Sequence, residues 1–111
     1  MRTNRFGNTG LIVSELCLGT MTFGEAQGRF GPIAGLDLAA STALVRQAID
    51  AGINFIDTAN VYSDGRSEEI VGQALRDLGV KRADVVVATK AMGTMGPGPN
   101  EAGASRFHLL H

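Results

Sequence analysis

Hydrophobic positions along the chain switch between two spacings, short continuous runs and a helical stripe. Arg5-Phe6 and Leu11-Ile12-Val13 flank Gly7-Asn8-Thr9-Gly10, a turn signal that predicts a small hairpin. Leu16-Cys17-Leu18-Gly19 reads as a short buried strand closed by glycine. Residues 24–38 carry four glycines and a proline and predict a loop. Over residues 40–51 the spacing becomes helical. Leu44, Val45, Ala48 and Ile49 fall on one face, with Arg46, Gln47 and Asp50 on the other. Ser41 is the candidate N-cap, and Gly52 stands where a helix-ending glycine belongs.

Ile53-Asn54-Phe55-Ile56-Asp57 is short, apolar and β-branched, and predicts a second buried strand. A loop through Tyr62 and Ser63-Asp64-Gly65 follows. Ser67 is then expected to cap a second helix, with Glu68 and Glu69 in the first turn, where the helix dipole favours anions. Its stripe is Ile70, Val71, Ala74, Leu75 and Leu78, and Gly79 ends it. DVVVAT at residues 84–89 predicts a third strand, residues 91–104 a loop, and Ser105 the cap of a third helix. Strands alternating with amphipathic helices imply parallel pairing and right-handed crossovers. The continuous apolar runs are those of strands covered on both faces.

A doubly wound sheet and a (β/α)8 TIM barrel share this alternation. A doubly wound dinucleotide fold calls for G-x-G-x-x-G after its first strand. The glycines here are Gly19 and Gly24, at the wrong spacing, and no Gly-Lys pair exists to form a Walker A loop. The pattern therefore favours an α/β fold that is the N-terminal part of a (β/α)8 barrel: about three βα units plus an N-terminal hairpin. Residues 1–111 form one partial domain with no internal boundary.

Composition narrows the partners. With 44% apolar and 19% charged residues the chain is globular rather than disordered. A net charge of −1 creates no field that draws it to nucleic acid or anionic lipid. There is no basic run and no Trp, so a nucleic-acid partner has no support. Cys17 is the single cysteine, which excludes an intrachain disulfide; it is expected as a small buried core residue, in a reducing compartment. MRTNRFGNTG lacks the apolar core of a signal peptide, and no apolar run approaches the ~20 residues of a spanning helix. The expectation is a soluble cytoplasmic protein with no membrane partner.

In a (β/α)8 barrel the chemistry sits at the C-terminal ends of the strands. Gly19-Thr20 ends the first predicted strand, Asp57 the second, and Lys90 follows the third. Neighbouring parallel strands lie ~4.8 Å apart, so Asp57 and Lys90 can meet, and Tyr62, five residues past Asp57, can fold back over them. A free phenol, with a pKa of ~10, is a reluctant proton donor at neutral pH, and a nearby ammonium makes it a better one. A carboxylate keeps the ammonium charged. Such a set suits protonation of a carbonyl oxygen, with hydride supplied by a cofactor, since no side chain supplies one. Spacing alone leaves open a turn or cap role for Asp57, a solvated Lys90 and a Tyr62 that packs on the rim.

The stretch GINFIDTANVYSDGRSEEIVGQAL, residues 52–75, closely resembles the signature of aldo-keto reductases. LGTMTFG at residues 18–24 resembles the family's first-strand cofactor loop, ATK at residues 88–90 the end of its third strand, and the hairpin the plug of its barrel bottom. The SDGRSEEIVGQAL wording is nearer the bacterial and potassium-channel-β-subunit branch. The resemblance implies Tyr62 as general acid, tuned by Lys90. It implies that Asp57 pairs with Lys90 and borders the nicotinamide ribose. Gly19, Thr20 and Met21 would line the nicotinamide end of NADPH, with NADH left open, and no metal is implied. The implied reaction is reduction of an aldehyde or ketone, a small-molecule carbonyl substrate, to an alcohol.

A whole barrel needs ~250 residues, so these 111 supply about three of eight strands. The family's active-site histidine ends the fourth strand; His108 and His111 come too early and are expected on a helix surface. Three strands leave two open edges, which invite self-association. The chain alone is therefore expected to be neither a stable barrel nor a competent reductase. The alternatives are a truncated non-catalytic fragment and a binding or regulatory module that retains the barrel segment. An unrelated doubly wound binding domain explains neither Tyr62 nor Lys90.

Overall fold

The computed structural model describes residues 1–25 and 32–111, so residues 26–31 of the predicted first loop lie outside the described residues. The hairpin is present: β1 (Thr3–Arg5) pairs antiparallel with β2 (Ile12–Ser14). β3 (Leu18–Gly19), β4 (Phe55–Asp57) and β5 (Val86–Ala88) form a separate parallel sheet in the order β3-β4-β5. Helix α1 (Leu38–Asp50) links β3 to β4, and α2 (Arg66–Asp77) links β4 to β5. A short α3 (Arg106–Leu110) follows the last loop. This is the predicted βαβαβα order.

The register sorts the strand residues onto two faces. Leu18 lies opposite Ile56, and Ile56 opposite Val87; Gly19 lies opposite Asp57, Phe55 opposite Val86, and Asp57 opposite Ala88. Because side chains alternate along a strand, Leu18, Ile56 and Val87 share the face that α1 and α2 cover. There they meet the core of Phe23, Val45, Ile70, Val71 and Ala74. Ile70 is fully buried, and a side chain of that size contributes roughly 1.5–3 kcal/mol when removed from water. The other face carries Gly19, Phe55, Asp57, Val86 and Ala88 and is only partly covered. Phe6 of the hairpin packs edge-on against Phe55 there, with ring centroids 5.5 Å apart. The continuous apolar runs do not make these strands buried on both sides here, and all three residues of β5 stay half-buried.

The Asn54 side chain also fastens the hairpin to the start of β4. Asn54 Oδ1 accepts from the Ser14 amide at 2.7 Å, and its Nδ2 donates to the Ile12 carbonyl at 3.1 Å. The hairpin therefore closes the N-terminal end of the parallel strands and leaves their C-terminal end uncovered by it.

Several local expectations are corrected. The predicted strand at residues 16–19 shrinks to two residues, with Leu16 exposed and Cys17 also open to solvent rather than buried. Period-two alternation puts Cys17 on the same side as Gly19, the incompletely covered face. Partial burial still pushes its thiol pKa up, the Asp57 charge adds to this, and Lys90 opposes it. Helix α1 begins earlier than predicted, capped by Asp37, whose Oδ1 accepts from the Ala40 amide at 2.8 Å. Ser41 is instead buried and donates to the Leu36 carbonyl. Leu44 is 38% exposed, outside the core that Val45 and Ala48 join. Ser105 does cap α3, accepting from the His108 amide.

Candidate active site

Three strand ends converge at the C-terminal edge of the sheet. Pairing continues past the strands: the Thr20 amide donates to Asp57 O (3.0 Å), the Thr58 amide to Ala88 O (2.9 Å) and the Asn60 amide to Lys90 O (3.0 Å). This ladder places residues 20, 57–60 and 88–90 side by side. Lys90 Nζ donates to Asp57 Oδ2 and to the Thr58 carbonyl, both at 2.7 Å. The ammonium also lies over the Tyr62 ring, 5.1 Å from its centroid, within cation–π range. Asp57, Tyr62 and Lys90 are thus brought together, as their positions along the chain predict.

The charge balance at Lys90 follows from those contacts. Burial acts to lower its pKa; hydrogen bonding to Asp57 and to Tyr62, and then their charges, outweigh it and hold the ammonium above its ordinary value of 10.5. The Lys90 and Asp57 side chains are 50% and 41% exposed. Water screens such a pair, so its contribution to stability is of the order of 0.2–1 kcal/mol. Its consequence is to fix geometry and charge.

Gly19 and Met21 face outward beside the trio: the place of a Cβ on Gly19 meets nothing within 4 Å, and Met21 is 39% exposed. Thr20 does not join them. Its side chain is fully buried, and its hydroxyl donates to the Asp57 carbonyl at 3.2 Å. Its side chain ties two strand ends together from behind.

Below the trio lies a knot of hydroxyls that the sequence reading missed. Ser67, fully buried, donates to Thr20 O at 2.8 Å and lies 3.0 Å from Thr20 Oγ1 and 3.5 Å from Thr58 Oγ1. Ser67 is not the N-cap of α2. That position belongs to Gly65, in the left-handed region at φ 94°, with no side-chain cap. The signal was present in the sequence. Ser67 sits three and four residues before Ile70 and Val71, on the helix's buried stripe, where a polar residue must find an internal partner.

The cavities at this end of the molecule lie beside the trio rather than on it. One of about 420 Å³ lies under the loop at residues 91–104, lined among others by Asn60, Glu68, Thr89, Glu101 and His108. His108 is half-buried there, with Nε2 sealed from solvent and without a partner, rather than on the helix surface; His111 is exposed as expected. Among the described residues no three His, Cys, Asp or Glu side chains come together to hold a metal, and no helix is long and apolar enough to cross a membrane.

Comparison with known proteins accounts for this arrangement. The chain is 46% identical, over 99% of its length, to a protein of Oryza sativa subsp. japonica named as a voltage-gated potassium channel subunit beta, and spans 31% of that protein. It is also 46% identical, over 78% of its length, to an aldo-keto reductase of Alternaria alternata, of which it spans 23%. The holo form of an aldo-keto reductase from Bacillus halodurans superposes on 85% of the chain with a TM-score of 0.68 at 31% identity, and the chain spans 27% of that structure. The three parallel βα units are a segment of its (β/α)8 barrel. The Aldo/keto reductase family profile matches residues 15–111, and the chain belongs to that family.

Proposed function

We propose that the chain is the N-terminal segment of an NADPH-dependent reductase that converts an aldehyde or ketone to an alcohol. The observation that carries the reading is the double grip on Lys90 Nζ by Asp57 Oδ2 and the Thr58 carbonyl, with Tyr62 against the same ammonium. Asp57 keeps Lys90 charged, and the Lys90 ammonium lies against the Tyr62 phenol, whose hydroxyl carries the proton to be given. Tyr62 delivers that proton to the carbonyl oxygen as the carbonyl carbon gains a hydride. Asp57, Gly19 and Met21 hold the nicotinamide end of the cofactor. The cofactor, when bound, supplies the hydride, which no side chain can. Residues 1–111 span under a third of the curated relatives above, so turnover requires the later βα units.

The test uses a barrel completed by joining residues 1–111 to the later βα units of a relative. NADPH oxidation is followed with a panel of aldehydes. Tyr62→Phe should lower turnover by about 10²–10⁴-fold, the range for loss of a general acid, while NADPH binding is nearly unchanged. The isolated chain should show no carbonyl-dependent oxidation. Retention of rate by Tyr62→Phe would remove Tyr62 from the role of acid. The rice relative supports a second reading, a regulatory module that retains the scaffold and binds a partner protein. A completed barrel that binds cofactor yet turns over no aldehyde would favour it.

A further inference from the structure

Tyr62 is followed by three residues in the left-handed region: Ser63 at φ 48°, Asp64 at φ 52° and Gly65 at φ 94°. Glycine adopts this conformation freely, but serine and aspartate do so at a cost, and such backbone persists only where surrounding contacts over-determine it. Here the contacts are specific. Ser63 is 6% exposed, and its hydroxyl donates to the Phe23 carbonyl at 2.9 Å. Its side chain lies so close to Gly24 that a Cβ on Gly24 would collide with it. Phe23 is itself a core residue, 1% exposed; the Gly24 amide donates to the Leu36 carbonyl, and the Leu36 amide to the Thr22 carbonyl. A rigid piece of the loop after β3 therefore grips the turn immediately behind Tyr62.

We propose that Ser63 is a positioning residue. Its hydroxyl, seated on Phe23 and Gly24, locks the left-handed turn and so sets where the Tyr62 phenol stands relative to Lys90. The inference rests on the reading of Tyr62 as proton donor and extends it. The loop that begins at Gly19 and Met21, beside the cofactor end, is coupled through this clamp to the acid. Arg66, which pairs with Glu25 at 3.5 Å, is a second link between the same two loops, and an exposed one.

Tyr62 is the single tyrosine, so its ring resonances are unambiguous, and a nuclear Overhauser cross-peak between its ring and the Lys90 side chain reads the geometry directly. In the unaltered chain that cross-peak should be present. Ser63→Gly keeps the left-handed turn but removes the hydroxyl; it should retain a folded amide spectrum and lose the cross-peak. Gly24→Ala displaces the Ser63 side chain from the other side and should also lose it. Thr42→Ala, which removes a hydroxyl bonded within α1 to the Leu38 carbonyl, should leave the cross-peak in place, as a merely structural loss would. Persistence of the cross-peak in folded Ser63→Gly, or its absence from the unaltered chain, overturns the proposal. The measurement needs neither cofactor nor turnover. Its failure leaves the reductase reading standing, and failure of the Tyr62→Phe assay leaves the clamp standing.

Discussion

Replacing Ser67 by alanine removes one oxygen from a place that water does not reach. Ser67 and Thr20 are fully buried and Thr58 is 2% exposed. The Thr20 carbonyl keeps a second donor, the Phe23 amide at 3.0 Å, so the lost Ser67 bond costs about 1 kcal/mol. The Thr58 hydroxyl loses its side-chain partner. Its contact is long, 3.5 Å, which puts the penalty for the sealed hydroxyl near the low end, about 1–1.5 kcal/mol. Alanine in the helix returns up to ~0.5 kcal/mol of propensity. The net loss is about 2 kcal/mol, or roughly 8 °C in Tm for a chain of this size. Ser41→Ala is the internal comparison. That serine is equally buried and helical, and its Leu36 carbonyl keeps the Gly24 amide, but it leaves no hydroxyl orphaned. It should cost about 1 kcal/mol less. Urea denaturation followed by circular dichroism measures both variants. The Thr58→Val/Ser67→Ala double variant should recover about 1 kcal/mol relative to the sum of the singles, because both partners of the broken contact are then gone. A Ser67→Ala loss no greater than that of Ser41→Ala, with no recovery in the double variant, would refute the idea of a coupled hydroxyl knot.

Two further outcomes follow from the same geometry. Lys90 has a folded pKa raised above 10.5, so its contribution is complete below that pH and is lost as pH climbs through the folded value. Lys90→Met should cost about 0.5 kcal/mol at neutral pH, as a half-exposed ion pair does, and its deficit should shrink above pH 10.5; a deficit that widens there contradicts the ion-pair assignment. Asp37→Ala removes the α1 cap and should cost about 1 kcal/mol, measured by the same urea titration, with Asp37→Ser restoring most of it.

The order of elements was legible because apolar spacing reports which face of a helix or strand is buried, and that information is local. The trio was legible because each member sits at a strand end and parallel pairing brings those ends together. The two capping misses share one cause. A serine near a helix start has two ways to satisfy its hydroxyl, a local cap or a distant buried acceptor, and sequence shows only the first. Ser41 and Ser67 both took the second, leaving the caps to Asp37 and Gly65. Cys17 failed differently: its apolar neighbours implied burial, but alternation turned it to the face left partly open. The left-handed Ser63 was hidden because its conformation is imposed by Phe23 and Gly24, forty residues away in sequence.

Thr58 explains how the open chemical face and the buried core hold each other in register, though nothing in its sequence setting singled it out. Its amide donates to Ala88 O, which fixes β4 against β5; its carbonyl accepts from Lys90 Nζ; its hydroxyl reaches Ser67. Every polar group of the residue is therefore committed, one to the sheet, one to the trio and one to the helix behind. Thr20 repeats the arrangement one strand over, with its amide and hydroxyl on Asp57 O and its carbonyl under Ser67. Asp57 lies between these two anchored residues and offers its carboxylate to Lys90 from a backbone held on both sides. An exposed ion pair contributes little stability by itself, and the Asp57–Lys90 pair does not need to. The hydroxyl knot, rather than the pair, holds the strand ends together.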